Sequence, residues 1–365
     1  MRIYFLVFVF FLIIITCSES TGPPPKNGPD TTSHNFVWQI DTFKAVNGQN
    51  TFRDVFAISE DNVWTIGTIY VDSTDGFGLN VLYNAAHWDG LKWNLKQFKY
   101  NSDGFITVMN PLRAIWYFSD DNIWLGGGSI FHFDGNIASL IHRPNLENYE
   151  SVEHLWAASE NEIYAVGTKG LILKYNGSSW TKMNSGTTMD FQDIWGRVDE
   201  ETGQVEVWAG AYDLSTDRHG IILKCNGTEW ETLFDKDNNI YQPDWDHTVP
   251  TAVWALKDSI YFALAGTDSS KIVRHNRMNF LSYLSPHTED QGSIQAFHGN
   301  EYNDFFAVGF RDLVLHYNGS TFKSYFPDRY IEGFYNSVQQ VGNSVFIVGF
   351  NPGSDDALIL TGKRQ

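Results

Sequence analysis

The side chains with the widest chemical scope stand where an otherwise regular chain becomes irregular. Tyr70, Asp72, Asp75 and Phe77 form one such stretch, and Tyr100, Asp103 and Phe105 a second. Tyr212, Asp213, Asp217, Arg218 and His219 make a third, and Tyr241, Asp244, Trp245, Asp246 and His247 a fourth. Aromatic faces beside carboxylates can stack on a sugar or a peptide and hydrogen-bond its polar edges. The expected ligand contacts are Tyr70, Tyr100, Tyr212, Asp213, Arg218, Asp244, Trp245 and His247, with Tyr212 and Trp245 foremost. A second chemistry is open to the same stretches. Paired carboxylates drawn from Asp213, Asp217, Asp244 and Asp246 could serve a glycoside hydrolase or lyase if folding holds them ~5–10 Å apart. No residue is assigned as catalytic, as a metal ligand or as a cofactor contact, and an enzymatic role is the less favoured reading.

Other reactive types have plainer explanations. Cys225 fills a slot that Tyr175 and Tyr317 fill elsewhere, which predicts a buried apolar thiol. His87, His132, Lys174, Lys224, Arg274 and His316 recur at one position of a repeat. Equivalent positions on separate units lie too far apart to share an ion, so the column predicts a hydrogen bond or ion pair within each unit. Three Asn-Gly-Ser/Thr sequons, at Asn176, Asn226 and Asn318, coincide with turns that Asn-Gly already explains.

The element that must carry these groups is a repeat. Its clearest copy runs Asp193-Ile194-Trp195, Val207-Trp208-Ala209-Gly210, Ile222-Leu223-Lys224-Cys225-Asn226-Gly227, Trp230. Its neighbour runs Leu155-Trp156, Ile163-Tyr164-Ala165-Val166-Gly167, Leu173-Lys174-Tyr175-Asn176-Gly177, Trp180. First strands are predicted near Val55, Ile115, Leu155, Ile194, Val253, Ile294 and Val338, which makes seven units. Four short strands per ~40–60 residues is the pattern of a β-propeller blade. The last unit stops at a third strand, Leu358-Ile359-Leu360, while Phe36 to Phe43 stands unassigned at the other end. An all-β, seven-bladed propeller of four-stranded antiparallel blades is therefore expected over 36–363, closed by the N-terminal strand. Closure removes an open sheet edge.

Composition agrees. Aromatics make up 16% of the 365 residues and recur at matching strand positions, where they are expected to fill the gaps between blades. The net charge of −18 argues against a nucleic-acid partner. Acidic pairs such as Glu60-Asp61 and Asp120-Asp121 fall in first-to-second strand turns and read as solvated. A monomer is expected, with an extracellular glycan or protein as its partner.

Arg2 precedes an apolar run from Ile3 to Ile15, a pattern that fits a secretory signal over 1–16. Ile14-Ile15-Thr16-Cys17 then resembles a bacterial lipobox, with Ile14 and Thr16 where Leu and a smaller residue usually stand. That resemblance implies lipidation at Cys17 and an extracytoplasmic, membrane-anchored protein. An ordinary secreted protein and an uncleaved anchor are the alternatives. Residues 17–35 hold Gly22-Pro23-Pro24-Pro25 and read as an extended tether.

Read as a consensus, the copies resemble a repeat of bacterial exported propeller proteins, of the Val-Trp-Ala-Val-Gly / Tyr-Asn-Gly-x-x-Trp type. More distantly they are similar to sialidase-type and photosystem-assembly-factor-type propeller repeats. The turns are one residue shorter between Asn and Trp than a sialidase Asp-box, and no arginine triad is assignable. The resemblance thus implies a propeller and a binding or interaction module, not a glycosidase.

Overall fold

The computed structural model describes residues 31–365 except 47, 73–79, 145–147, 214–218, 236–247, 258, 267–269, 276–279, 285–291 and 327–332, and only the backbone of 280–284. These residues form seven sheets, each built on four antiparallel strands in the order expected of a propeller blade. Blade one is Thr51–Ser59, Asn62–Asp72, Asn80–Trp88 and Trp93–Lys96. Blade four is Asp190–Val198, Val205–Asp213, His219–Cys225 and Trp230–Asp235. Each first strand packs beside the first strands of the two neighbouring blades, so these strands line a central channel.

The expected closure is present. Phe36–Phe43 pairs along its whole length with Asp356–Arg364, from Phe36 opposite Arg364 to Phe43 opposite Ala357. Blade seven is thereby built from both ends of the described chain. Trp38 packs edge-on against Tyr325 and Phe326 of blade six, with ring centres 5.1 and 5.3 Å apart. Thr32 and His34, which the sequence groups with the tether, lie against blade six as well, through Thr32, Asp304, His34 and His316.

The hairpin turns follow from local chemistry. Gly90, Gly135, Gly177, Gly227 and Gly319 all take φ between 87° and 99°, a region open to glycine at little cost. The basic and histidine column behaves as expected. His87 bonds Asn62 at 2.8 Å, His132 bonds Asn122 at 2.9 Å, and His316 bonds Asp304 at 2.9 Å. Lys174 pairs with Glu162 at 2.8 Å, Lys224 with Glu206 at 3.0 Å, and Arg274 with Ser259 at 2.7 Å. Each pair straddles an aromatic ring of the second strand, as where His87 stacks on Trp64 at 4.4 Å.

Three expectations change. The irregular stretch that holds Tyr70 and Asp72 begins as strand, with Ile69 to Asp72 laddered on Tyr83 to Asn80. The same holds in blade four, where Tyr212 pairs with Gly220 and Asp213 with His219. Blade two gains a hairpin, Lys99–Ser102 with Phe105–Val108, laid against its fourth strand, so Tyr100 sits in a strand and not in a loop. Glu60, read as a solvated turn residue, accepts from Asn343 N and Ser344 Oγ at 2.9 Å each and joins blade one to blade seven.

Candidate functional site

Every first strand carries a β-bulge at the same level. The register slips between Phe52 and Asp54, Leu112 and Ala114, Val152 and His154, and Phe191 and Asp193. It slips again between Pro250 and Ala252, Ile294 and Ala296, and Tyr335 and Ser337. A bulge adds one unpaired residue and re-aims its side chain. The residues so placed are Arg53, Arg113, Glu153, Gln192, Thr251, Gln295 and Asn336, all polar. They form a ring at the channel end from which the second-to-third hairpins project. Thr51 pairs with Thr68 and Asp190 with Tyr212 just beyond the bulges.

Below the polar ring lies a second one: Asp54, Ala114, His154, Asp193, Ala252, Ala296 and Ser337. Below that, Phe56, Trp116 and Trp195 narrow the channel. Trp116 meets Trp195 of the blade after next at 6.1 Å, and Phe56 meets Trp116 at 4.9 Å. The sequence reading puts the aromatics between blades; Trp156 and Trp254 do pack there, while Phe56, Trp116 and Trp195 line the channel. What remains is a chamber of about 50 Å³ between the polar rings and these aromatics, space for a few waters.

The two channel carboxylates act as clips between blades. Asp54 accepts from Val55 N at 2.9 Å, Ile115 N at 3.0 Å and Ser337 Oγ at 2.8 Å. Asp193 accepts from Ile194 N at 2.8 Å and Val253 N at 2.9 Å. Burial opposes their ionisation more than these donors favour it, so Asp54 is pushed up to about 6 and Asp193 to about 8. His154 stands 3.6 Å from Asp193, too far for a hydrogen bond, and burial lowers it to about 4. Both are neutral at neutral pH.

The upper ring is mostly satisfied from within. Arg113 pairs with Glu153 at 2.9 Å, and Glu153 also accepts from Ser151 Oγ at 2.6 Å. Thr251 Oγ donates to Ile294 O at 2.6 Å, and Asn336 Nδ2 to Phe52 O at 2.7 Å. Gln192 and Gln295 donate to Asp190 O and Ser293 Oγ.

Of the sequence-predicted contacts, Tyr70, Tyr212 and Asp213 stand on the hairpins at this end of the channel, all half-buried. Asn50 holds the Tyr70 backbone by accepting from its N–H at 2.8 Å and donating to its carbonyl at 3.1 Å. Tyr100 is not brought to this end. It pairs with Ala138 on the outer edge of blade two and packs on Phe131 at 5.0 Å. Arg218, Asp244, Trp245 and His247 lie outside the described residues, as do Cys17, Asp217 and Asp246. Cys225 is fully buried, and burial raises its thiol pKa.

The bulge ring escaped the sequence reading, yet it left a trace. Phe52 and Val55, Leu112 and Ile115, Val152 and Leu155, and Phe191 and Ile194 are inward apolar residues spaced three apart, where an unbroken strand spaces them by two.

No family model and no curated protein matches the chain. Solved structures do. One, of YCF48 bound to D1 peptide, aligns with a TM-score of 0.62 at 13% identity over 93% of this chain and 100% of the other. The WD40 propeller domain of Doa1 gives 0.54 at 14% identity, over 90% and 97%. A virginiamycin B lyase from Staphylococcus aureus gives 0.58 at 11% identity, over 89% and 99%. At such identities the likeness is one of fold, and the chain is a seven-bladed β-propeller.

Proposed function

We propose that this protein is a non-enzymatic binding module whose ligand docks on the channel end bearing the bulge ring. One observation carries the reading. The channel is narrowed by aromatics from below, while seven polar side chains are re-aimed at its upper end, where the longest hairpins also stand. Tyr70, Tyr212 and Asp213 would contact the ligand from these hairpins, together with Arg218, Asp244, Trp245 and His247. A peptide or protein is the favoured partner class, in line with the peptide named for the YCF48 structure; a glycan is the other. The test is a peptide and glycan array on the soluble domain, repeated with Tyr212→Ala and Trp245→Ala combined. Each covered aromatic contributes on the order of 1.5–3 kcal/mol, so the double variant should lose at least tenfold in affinity. Equal binding by the variant would place the site elsewhere.

We also propose that the chain is exported and held at a membrane by lipid on Cys17, with residues 18–30 as spacer. The apolar run ending at Thr16-Cys17 supports this. Cys17→Ala should move the protein from the membrane fraction to the soluble one. Unchanged fractionation would count against the anchor.

A further inference from the structure

Arg53 is the exception in the upper ring. Among the described residues, the other six bulged side chains each make a hydrogen bond or ion pair, and Arg53 makes none. It sits one blade from Arg113, whose like charge, after burial, is the largest influence lowering its pKa. Arg113 is only partly neutralised. Its Nη1 meets Glu153, but its Nε is buried with no partner among the described residues. Two guanidinium groups thus share one carboxylate. Asp54, next in sequence, offers no relief, because its oxygens already accept from Ile115, Val55 and Ser337.

We propose that Arg53, with the adjoining face of Arg113, receives the carboxylate of a peptide at the channel end. This rests on the binding face proposed above and names its chemistry. A guanidinium presents paired N–H donors that match the two oxygens of a carboxylate. The adjacent amides suit a polypeptide. Gln192, Gln295 and Asn336 each donate at least one N–H to the protein, and their carbonyl oxygens, which accept from no protein donor among the described residues, can accept from a peptide backbone. The chamber of about 50 Å³ below the ring has space for only a few waters, so most of the ligand stays above the ring. The net charge of −18 disfavours polyanions and selects a carboxylate on an otherwise neutral or basic chain.

The test uses the full chain, immobilised, and three mixed-sequence hexapeptide pools read by mass spectrometry. The first pool lacks Asp and Glu and has a free C-terminus. The second is the same pool amidated. The third is amidated and carries one Glu. Retention of the first or third pool, but not the second, is expected, and shows whether a chain end or a side chain supplies the group. Arg53→Gln should lower that retention about tenfold or more, and Arg53→Lys should restore it only in part. Arg53 holds nothing else in place, so the variants should melt as the wild type does. Equal retention of all three pools, or of the favoured pool by Arg53→Gln, overturns the assignment, as does retention of none. Loss with Tyr212→Ala but not with Arg53→Gln would leave the binding face standing and remove only the arginine from it.

Discussion

At the scale of residues, the latch at Asp304 makes stability depend on pH. This buried carboxylate accepts from Thr32 Oγ at 3.0 Å, His316 Nε2 at 2.9 Å, Gln340 Nε2 at 3.0 Å and the Arg364 guanidinium, and its pKa falls to about 2. Because Nε2 of His316 carries its proton to Asp304, its Nδ1 accepts from Nδ1 of His34, 2.7 Å away. A second proton on His316 would sit between the two Nδ1 atoms, and one on His34, at Nε2 beside Thr321 Oγ, would put a full charge next to the His316 ring. Burial, then His316, then Lys323 and Arg364 lower His34 to about 4, with Asp304 opposing. A histidine depressed in the folded state adds stability at pH above its unfolded pKa of about 6.5, and that stability is lost as pH falls toward 4. The melting temperature should therefore drop between pH 6.5 and 4. His34→Ala should flatten that drop, and a wild-type slope in the variant would remove His34 from the account. The channel carboxylates act oppositely, since Asp193, raised to about 8, withdraws stability as pH rises from its unfolded pKa of about 3.9 toward that value.

At the scale of elements, the strand Phe36–Phe43 covers the edge of blade seven and the flank of blade six. Deleting residues 31–43 bares eight residues of ladder and removes Thr32 and His34 from Asp304. A loss of several kcal/mol, at roughly 2 °C each for a chain of this size, is a fall of ~10 °C in melting temperature. A melting curve that stays put would refute the closure. This strand is legible in the sequence because a missing fourth strand and a spare Trp-led segment are both visible there. The added hairpin of blade two is not. Its residues, Lys99-Tyr100-Asn101-Ser102 and Phe105-Ile106-Thr107-Val108, have no counterpart in the repeat, and hairpins of four residues a side carry little periodicity. The strand extensions at Tyr70 and Tyr212 are hidden for a related reason. Gly67 and Gly210 close the strand in the consensus, so the residues beyond each glycine read as loop.

At the scale of the whole molecule, the ring and its seven blades can be read from the repeat because each blade restates the same turn glycines and apolar runs. The site cannot, because it arises only when seven strands converge. Arg53 and Arg113 are separated by 60 positions along the chain, and nothing local tells that their bulges become neighbours. The bulges also separate two demands that usually compete. Elsewhere in a blade, a side chain is held by ladder register and by the packing of adjacent sheets. A bulged residue lies outside the ladder, so its identity is free of the fold's arithmetic. The channel rim is in that sense a seven-character address, some of whose characters, in the pairs Arg113–Glu153, Thr251–Ile294 and Asn336–Phe52, also tie neighbouring blades together. Rewriting the other characters, with the blades untouched, would give a family of proteins that fold alike and choose different partners.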